Sequence, residues 1–273
     1  MGGLNDSSKT RVYPVFSKLE RRTDDWVRAL LDLTAQRDSE TREPRPWAQL
    51  DLHADQVDFA EPVPPADGSK KRQERAFGAS GDLLKWLIRN LGSRVPKTLS
   101  RDAAIHAKRE RLLARDQHVR EEALADLARG GTAARWCTFE GPTYPDAVIE
   151  TPAAVIVVEG KFTESDITTH TTWMEGRHQM LRHMDGAWEK VHATKRVFGL
   201  FAVEGDKSNP LSPGGKWSSA GERTRASTAR ATSLPHRNEK DQREIVAGFV
   251  GVVTWQAIVL EFGLPNTLLS TRV

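Results

Sequence analysis

One cysteine, Cys137, stands among 273 residues, so no intrachain disulfide can form and no thiolate cluster can hold zinc. Any metal must then rest on carboxylates or imidazoles, which makes hard, oxygen-seeking cations the default. No apolar run approaches the ~18–20 residues that span a bilayer, which excludes a membrane helix. The opening MGGLNDSSKTRVYPVF lacks the charged start and apolar stretch of a signal peptide. Met1-Gly2-Gly3 heads no convincing acylation pattern, so the expected compartment is the cytoplasm. A large excess of one charge is also missing: 40 Lys and Arg against 37 Asp and Glu leave +3. With a pI near 9.0 this suits a polyanionic partner, although where the charge lies matters more than its sum.

What is present has the punctuation of an α/β protein. Thr23-Asp24-Asp25 offers a cap and acidic first turn for a helix over TDDWVRALLDLTAQ, after a loose start. Residues 39–78 are rich in Pro and charge and read as a long connection. Ser80 caps a helix over SGDLLKWLIRN with Gly92 as its stop, and Ser100 caps a longer charged helix ending at Gly130-Gly131. The period then changes. ARWCTFE (134–140), DAVIE (146–150) and AAVIVVEGKF (153–162) read as three antiparallel strands. Thr172 and Glu175 form a capping box for a helix whose apolar face carries Trp173, Met180, Leu181, Met184 and Trp188, and KRVFGLFAVE (195–204) reads as a fourth strand. The expectation is an α-β-β-β-α-β sandwich around one mixed sheet. Residues 1–99 form an N-terminal helical extension and 100–204 the core. Residues 205–242 form a mobile basic loop with seven basic against four acidic residues. Residues 243–273 form an apolar segment packed on the core, read as helix with Asn238 as its cap.

Charge in the third strand calls for a reason, because Glu159 and Lys161 directly follow the apolar run Val155-Ile156-Val157-Val158. Side chains alternate along a strand, so these two share a face roughly 7 Å apart. With Thr151-Pro152 as the hairpin turn, Val148 pairs with Val155 and Asp146 falls opposite Val157, diagonal to Glu159 on that same face. Such diagonals lie about 7–8 Å apart, a span two carboxylates can close around one cation. A slip of one residue would send Asp146 to the other face. Two carboxylates and a lysine on one patch suit metal-assisted phosphodiester hydrolysis, with Mg²⁺ or Mn²⁺ as cofactor and the Gly160 carbonyl as a further ligand.

Pro145-Asp146 followed by Glu159-Gly160-Lys161 resembles the PD-(D/E)xK nuclease superfamily, with its restriction-endonuclease-like fold. The resemblance covers residues 100–204. It implies Asp146 and Glu159 as metal ligands and Lys161 as catalytic base or stabiliser. By chance such a spacing arises in roughly one chain in twenty, so the paired strands and shared face carry more weight than the motif. Some exonuclease-type members also carry a glutamine followed four residues later by tyrosine on the next helix. Here the matching stretch RHQMLRH has Gln179, with His183 in place of the tyrosine. Arg177, Gln179 and His183 are accordingly candidate substrate contacts, or else an exposed polar face.

Other charged residues have plainer readings. Glu140, Glu121 and Glu122 are further ligands of a two-ion site or solvated charges, and His170 and His178 lack a ligand partner at a convincing spacing. Lys216, Arg223, Arg225, Arg230 and Arg237 neutralise phosphates or simply solvate a loop. The eight tryptophans stack unpaired bases or fill the core, the latter reading favouring Trp136, Trp173 and Trp188. The expected activity is a Mg²⁺- or Mn²⁺-dependent nuclease acting on nucleic acid, DNA before RNA, as a homodimer or with a separately encoded partner. The alternatives are a non-catalytic binding module on the same scaffold and a hydrolase of small phosphate esters.

Overall fold

A computed structural model describes residues 8–37, 45–61, 73–91 and 102–270. Among the described residues, five strands form one mixed sheet in chain order: β1 (Gln56–Phe59), β2 (Ala147–Glu150), β3 (Ala154–Gly160), β4 (Arg196–Val203) and β5 (Phe249–Thr254). β1, β2 and β3 are antiparallel neighbours, whereas β4 runs parallel to β3 and β5 parallel to β4. The helices are α1 (Tyr13–Leu19), α2 (Trp26–Arg37), α3 (Gly81–Asn90), α4 (Ala103–Leu113), α5 (Gln117–Arg129), α6 (Gln179–Val191), α7 (Ala220–Arg225), α8 (Ser227–Ser233), α9 (Glu239–Ala247) and α10 (Trp255–Glu261).

Every side chain of β3 is buried, as expected of a central strand covered on both faces. Ala154, Ile156 and Val158 join Phe16, Trp26, Leu30 and Trp255 from the terminal helices. Val155 and Val157 face Met180, Leu181 and Met184 of α6, with Trp217 and Leu234 beyond. Both parallel connections, β3 to β4 through α6 and β4 to β5 through α7–α9, lie on this second face. Two successive right-handed crossovers in one direction place their helices there. A third cluster, built from α3–α5 with Trp136, Cys137 and Phe139, stands beside the sheet.

Several expectations are corrected. The first strand of the meander is Gln56–Phe59, inside the stretch read as a connection, and 134–140 is no strand. Residues Gly131–Trp136 form a 3-10 helix, because Trp136 donates its indole N–H to Asp126 (2.7 Å) and Phe139 packs in the helical cluster. Aromatic residues that suit a strand are thus used against helices. The segment before residue 100 supplies β1 and much of one core layer. The charged stretch after it is two helices, since Asp116 caps a second one through Val119 N (3.1 Å) and Arg115 takes φ 63°. Asp102 caps the first; Ser100 and Gly92 lie outside the described residues. The Thr172–Glu175 box starts no helix. Thr171 N–H bonds Met174 O (2.9 Å), Gly176 turns at φ 81°, and α6 begins only at Gln179. Ser80 and Asn238 do cap α3 and α9.

Residues 205–242, expected as a mobile loop, fold into a 3-10 turn with α7, α8 and the start of α9, because their apolar residues Trp217, Ala220 and Leu234 are core. The terminal apolar segment contains β5 rather than one helix. A Cβ on Gly248 would lie 2.1 Å from Val197 O, so the chain crosses there at a glycine and the β-branched run after it pairs with β4. Trp217 is the clearest probe of this segment, with its indole N–H bonded to Glu164 O at 2.8 Å. Trp217→Ala should cost about 3–5 kcal/mol, read as a lower midpoint in chemical denaturation. An unchanged midpoint would mean that the segment adds nothing to the core.

Candidate active site

The hairpin that carries the motif turns about Pro152-Ala153. Thr151 N–H donates to Ala154 O (2.9 Å), and Ala154 N–H donates to the Thr151 hydroxyl (2.9 Å). Proline suits the first central position of such a turn and is disfavoured at the second, where a Thr151-Pro152 turn would have put it. The ladder is therefore displaced by two residues from the expected pairing, with Val148 opposite Val157 and Ala147 opposite Val158. An even displacement keeps every side chain on its face. One step beyond the last pair, Asp146 comes level with Glu159, a direct neighbour rather than a diagonal one.

Asp146, half-buried, accepts Gly160 N–H through Oδ2 (2.8 Å). A Cβ on Gly160 would fall 2.7 Å from Val12 Cγ2 and 3.0 Å from the Trp255 ring, so close packing on the opposite face requires glycine between the acid and the lysine. Glu159 and Lys161 are 5% and 6% exposed. Lys161 Nζ lies 2.9 Å from Glu159 Oε1, Gln179 Nε2 donates to the same oxygen (2.5 Å), and His183 Nε2 lies 3.0 Å from Oε2. Behind His183, Nδ1 meets the Thr143 hydroxyl at 2.6 Å. Lys161 is fixed through its backbone, with its N–H on Ala202 O (2.8 Å) and its carbonyl accepting from Trp255 Nε1 (3.0 Å).

Burial works to raise the Glu159 carboxyl, but His183 and Lys161 outweigh it and hold the group below the ordinary carboxylate range. Burial works to lower Lys161, yet Glu159, then Glu164 and Asp146, hold its ammonium above its usual value. The pair is thus charged at neutral pH. Gln179 Oε1 is buried with no hydrogen-bond partner among the described residues, beside these oxygens. No three His, Cys, Asp or Glu side chains among the described residues stand together as a ready-made metal site.

Of the other sequence candidates, Gln179 and His183 converge on Glu159 and Arg177 does not. Arg177 is 1% exposed, and its guanidinium is taken by Glu140 (3.1 Å), Asp185 (2.9 Å) and the Ser233 carbonyl. A phosphate cannot reach it, so it is corrected from substrate contact to structural ion pair. Glu140 is held by Arg177 and Arg182. Glu121 bonds Gln117 and Glu122 pairs with Lys108, both on the outer helices. His170 is exposed. His178 bonds the Thr224 hydroxyl (3.1 Å); burial, reinforced by Arg223 and His183, pushes it down to about 4. The basic residues of 205–242 are largely engaged: Lys216 and Arg223 with Asp166, Arg225 with Val250 O, and Arg237 with Asp185. Arg230 Nε is buried with no hydrogen-bond partner among the described residues. Trp136 and Trp188 are core and Trp173 is half-buried. Thr143, which orients His183, escaped the sequence reading, since a threonine three places before an aspartate carries no signal of its own.

Among the described residues no helix is long and apolar enough to cross a membrane. Comparison of the chain with models of known protein families, with curated proteins and with solved structures returned no match.

Asp185, buried on α6, joins Arg177, His236 and Arg237. Burial would raise its carboxyl, but His236, Arg177 and Arg237 hold it well below the ordinary 3.8. Its stabilisation is therefore complete above pH 3.8 and lost as the pH falls through the lowered folded value. Asp185→Asn should cost about 3–5 kcal/mol at neutral pH. In urea unfolding across pH, the gap from the native protein should narrow once the pH drops below 3.8. A gap constant with pH would contradict this assignment.

Proposed function

We propose that this protein is a metal-dependent phosphodiesterase acting on nucleic acid, with DNA the expected substrate, and that its fold is restriction-endonuclease-like. The observation that carries the reading is the charged end of β3. A strand buried along its whole length ends at Glu159 and Gly160 and runs directly into Lys161, with Asp146, the residue before β2, level with Glu159. The order α2, β1, β2, β3, α6, β4 supports it, being the α-β-β-β-α-β succession that the PD-(D/E)xK resemblance implies, with α3–α5 inserted between β1 and β2.

The donors fit a hard cation. Asp146 and Glu159 offer carboxylate oxygens, and the partnerless Gln179 Oε1 lies alongside. Mg²⁺ is commonly held by one or two carboxylates with waters and substrate phosphate completing its shell. When bound, Mg²⁺ or Mn²⁺ would supply Lewis acidity and a water of lowered pKa. Gln179 and His183 orient Glu159, and Thr143 orients His183. Lys161, whose ammonium Glu159 holds in place, acts as a fixed cation beside the phosphoryl oxygens. The Gly160 carbonyl is the further ligand the reading assigns.

One observation favours a second reading, a binding module on the same scaffold: Lys161, Gln179 and His183 already occupy both Glu159 oxygens. Incubation with linear and circular DNA, with and without Mg²⁺, separates the two. Asp146→Ala and Lys161→Ala should each lower Mg²⁺-dependent cleavage by at least on the order of 10²–10³-fold with the circular dichroism spectrum unchanged. Full cleavage by either variant overturns the site. Absence of both cleavage and Mn²⁺ binding by calorimetry in the native protein favours the module.

A further inference from the structure

Six of the eight tryptophans are buried: Trp26, Trp47, Trp136, Trp188, Trp217 and Trp255. The two that remain half-exposed, Trp86 on α3 and Trp173 in the loop between β3 and α6, line one cavity of about 720 Å³ together with Ala231 and Pro235. Leaving two indoles partly wet in one recess forgoes apolar burial that the rest of the chain uses. Trp173 packs against Phe139, ring centroids 4.6 Å apart. A second cavity of about 380 Å³ shares residues 170–173 with the first and runs to Arg182 and Gly141. The hydroxyl of Thr171, on that shared wall, is buried with no hydrogen-bond partner among the described residues.

The inner end of this cleft reaches Gly141 and Arg182, the latter one residue before His183 on α6. Arg182 donates to the carbonyls of Gly141 and Pro142 (3.3 Å each), and the next residues of both segments, His183 and Thr143, are the pair that orients Glu159. A recess of this size walled by two indoles suits a flat heteroaromatic ring. In a duplex the faces of the bases are covered by their neighbours, so only an unpaired base can offer a face to the wall.

We infer that the Trp86–Trp173 cleft binds an unpaired nucleobase of the strand engaged at Asp146, Glu159 and Lys161, so that the substrate is a single strand or a frayed end rather than continuous duplex. This rests on the phosphodiesterase reading for the identity of the ligand but not for its test, since binding without metal needs no catalysis.

The experiment is fluorescence anisotropy in EDTA with labelled oligothymidylate and with blunt duplex, on the native protein, Trp86→Ala and Trp86→Phe, each checked by thermal melting. Quenching of the native protein's tryptophan emission by unlabelled oligothymidylate gives a readout that needs no variant. The expected result is preference for the single strand with quenching. Trp86→Ala should weaken binding on the order of 5- to 150-fold, the equivalent of about 1–3 kcal/mol for one stacked base, and Trp86→Phe should restore most of it. Equal affinity for duplex, unquenched emission, or native affinity in a folded Trp86→Ala overturns the inference. So does competition by free nucleotide as strong as by the oligonucleotide, which would make the cleft a nucleotide pocket. Mg²⁺-dependent cleavage of duplex at the native rate by Trp86→Ala would sink the cleft and leave the phosphodiesterase standing. Trp86-dependent binding without any cleavage would do the reverse.

Discussion

An ionised carboxylate at 5% exposure cannot exist at neutral pH unless donors surround it, because desolvation otherwise drives it to its neutral form. Glu159 meets that condition with an ammonium and an amide at one oxygen and an imidazole nitrogen 3.0 Å from the other, delivered by two elements. Lys161 comes from its own strand, fixed by the next parallel strand and by Trp255, whereas Gln179 and His183 come from α6. Helix α6 must therefore sit at one height and rotation over the sheet. Met180 and Met184 seat it against Gly199, where a Cβ would approach both sulfurs to within 2.7 Å. The packing that buries α6 is thus also what keeps Glu159 charged.

The far side of α6 carries a second charged assembly that the chemistry does not use. Arg177, Asp185, His236 and Arg237 link the helix to α8 and to the turn before α9, with Glu140 reaching in from the chain ahead of β2. Buried ion pairs of this kind add little net stability over apolar packing, yet removing one partner is costly, so their effect is to fix arrangement. Here they fix the crossover between β4 and β5 against the helix that orients Glu159. Residues that in sequence form a basic, Ser-rich stretch act in the fold as a clamp on α6, which leaves few of their charges for a polyanion.

Legibility in the sequence followed the physics of each segment. The hairpin, the strand over 195–204 and the caps at Ser80 and Asn238 were readable, because β-branched runs and side-chain caps act locally. The Glu159–Lys161 pair was readable because alternation is a property of any strand, and its face survived a misplaced turn because the displacement was even. Three features depended on partners distant in sequence. Gln56–Phe59 is a strand because β2 offers it an edge, Trp136 and Phe139 leave the sheet because three helices offer them a better cavity, and residues 205–242 are ordered because Trp217 and Leu234 find the face of β4 and β5. None of these neighbours is written in the local pattern. Thr143 belongs with them, since its role exists only through His183.

Thr143 also joins the two parts of the molecule. Its backbone pairs with Phe77 at the entrance to the α3–α5 cluster (2.9 and 2.8 Å), and its hydroxyl meets His183. Three residues later the same stretch delivers Asp146 to the start of β2. A displacement of the helical cluster would therefore be felt at Asp146 through the backbone and at Glu159 through His183. The helical cluster also bears Trp86 and supports Trp173, so one insertion builds a wall of the cleft and anchors the stretch that leads to Asp146. The insertion between β1 and β2 thus does more than decorate an α/β sheet: at Phe77 and Thr143 it anchors the stretch that leads to Asp146 and that holds His183.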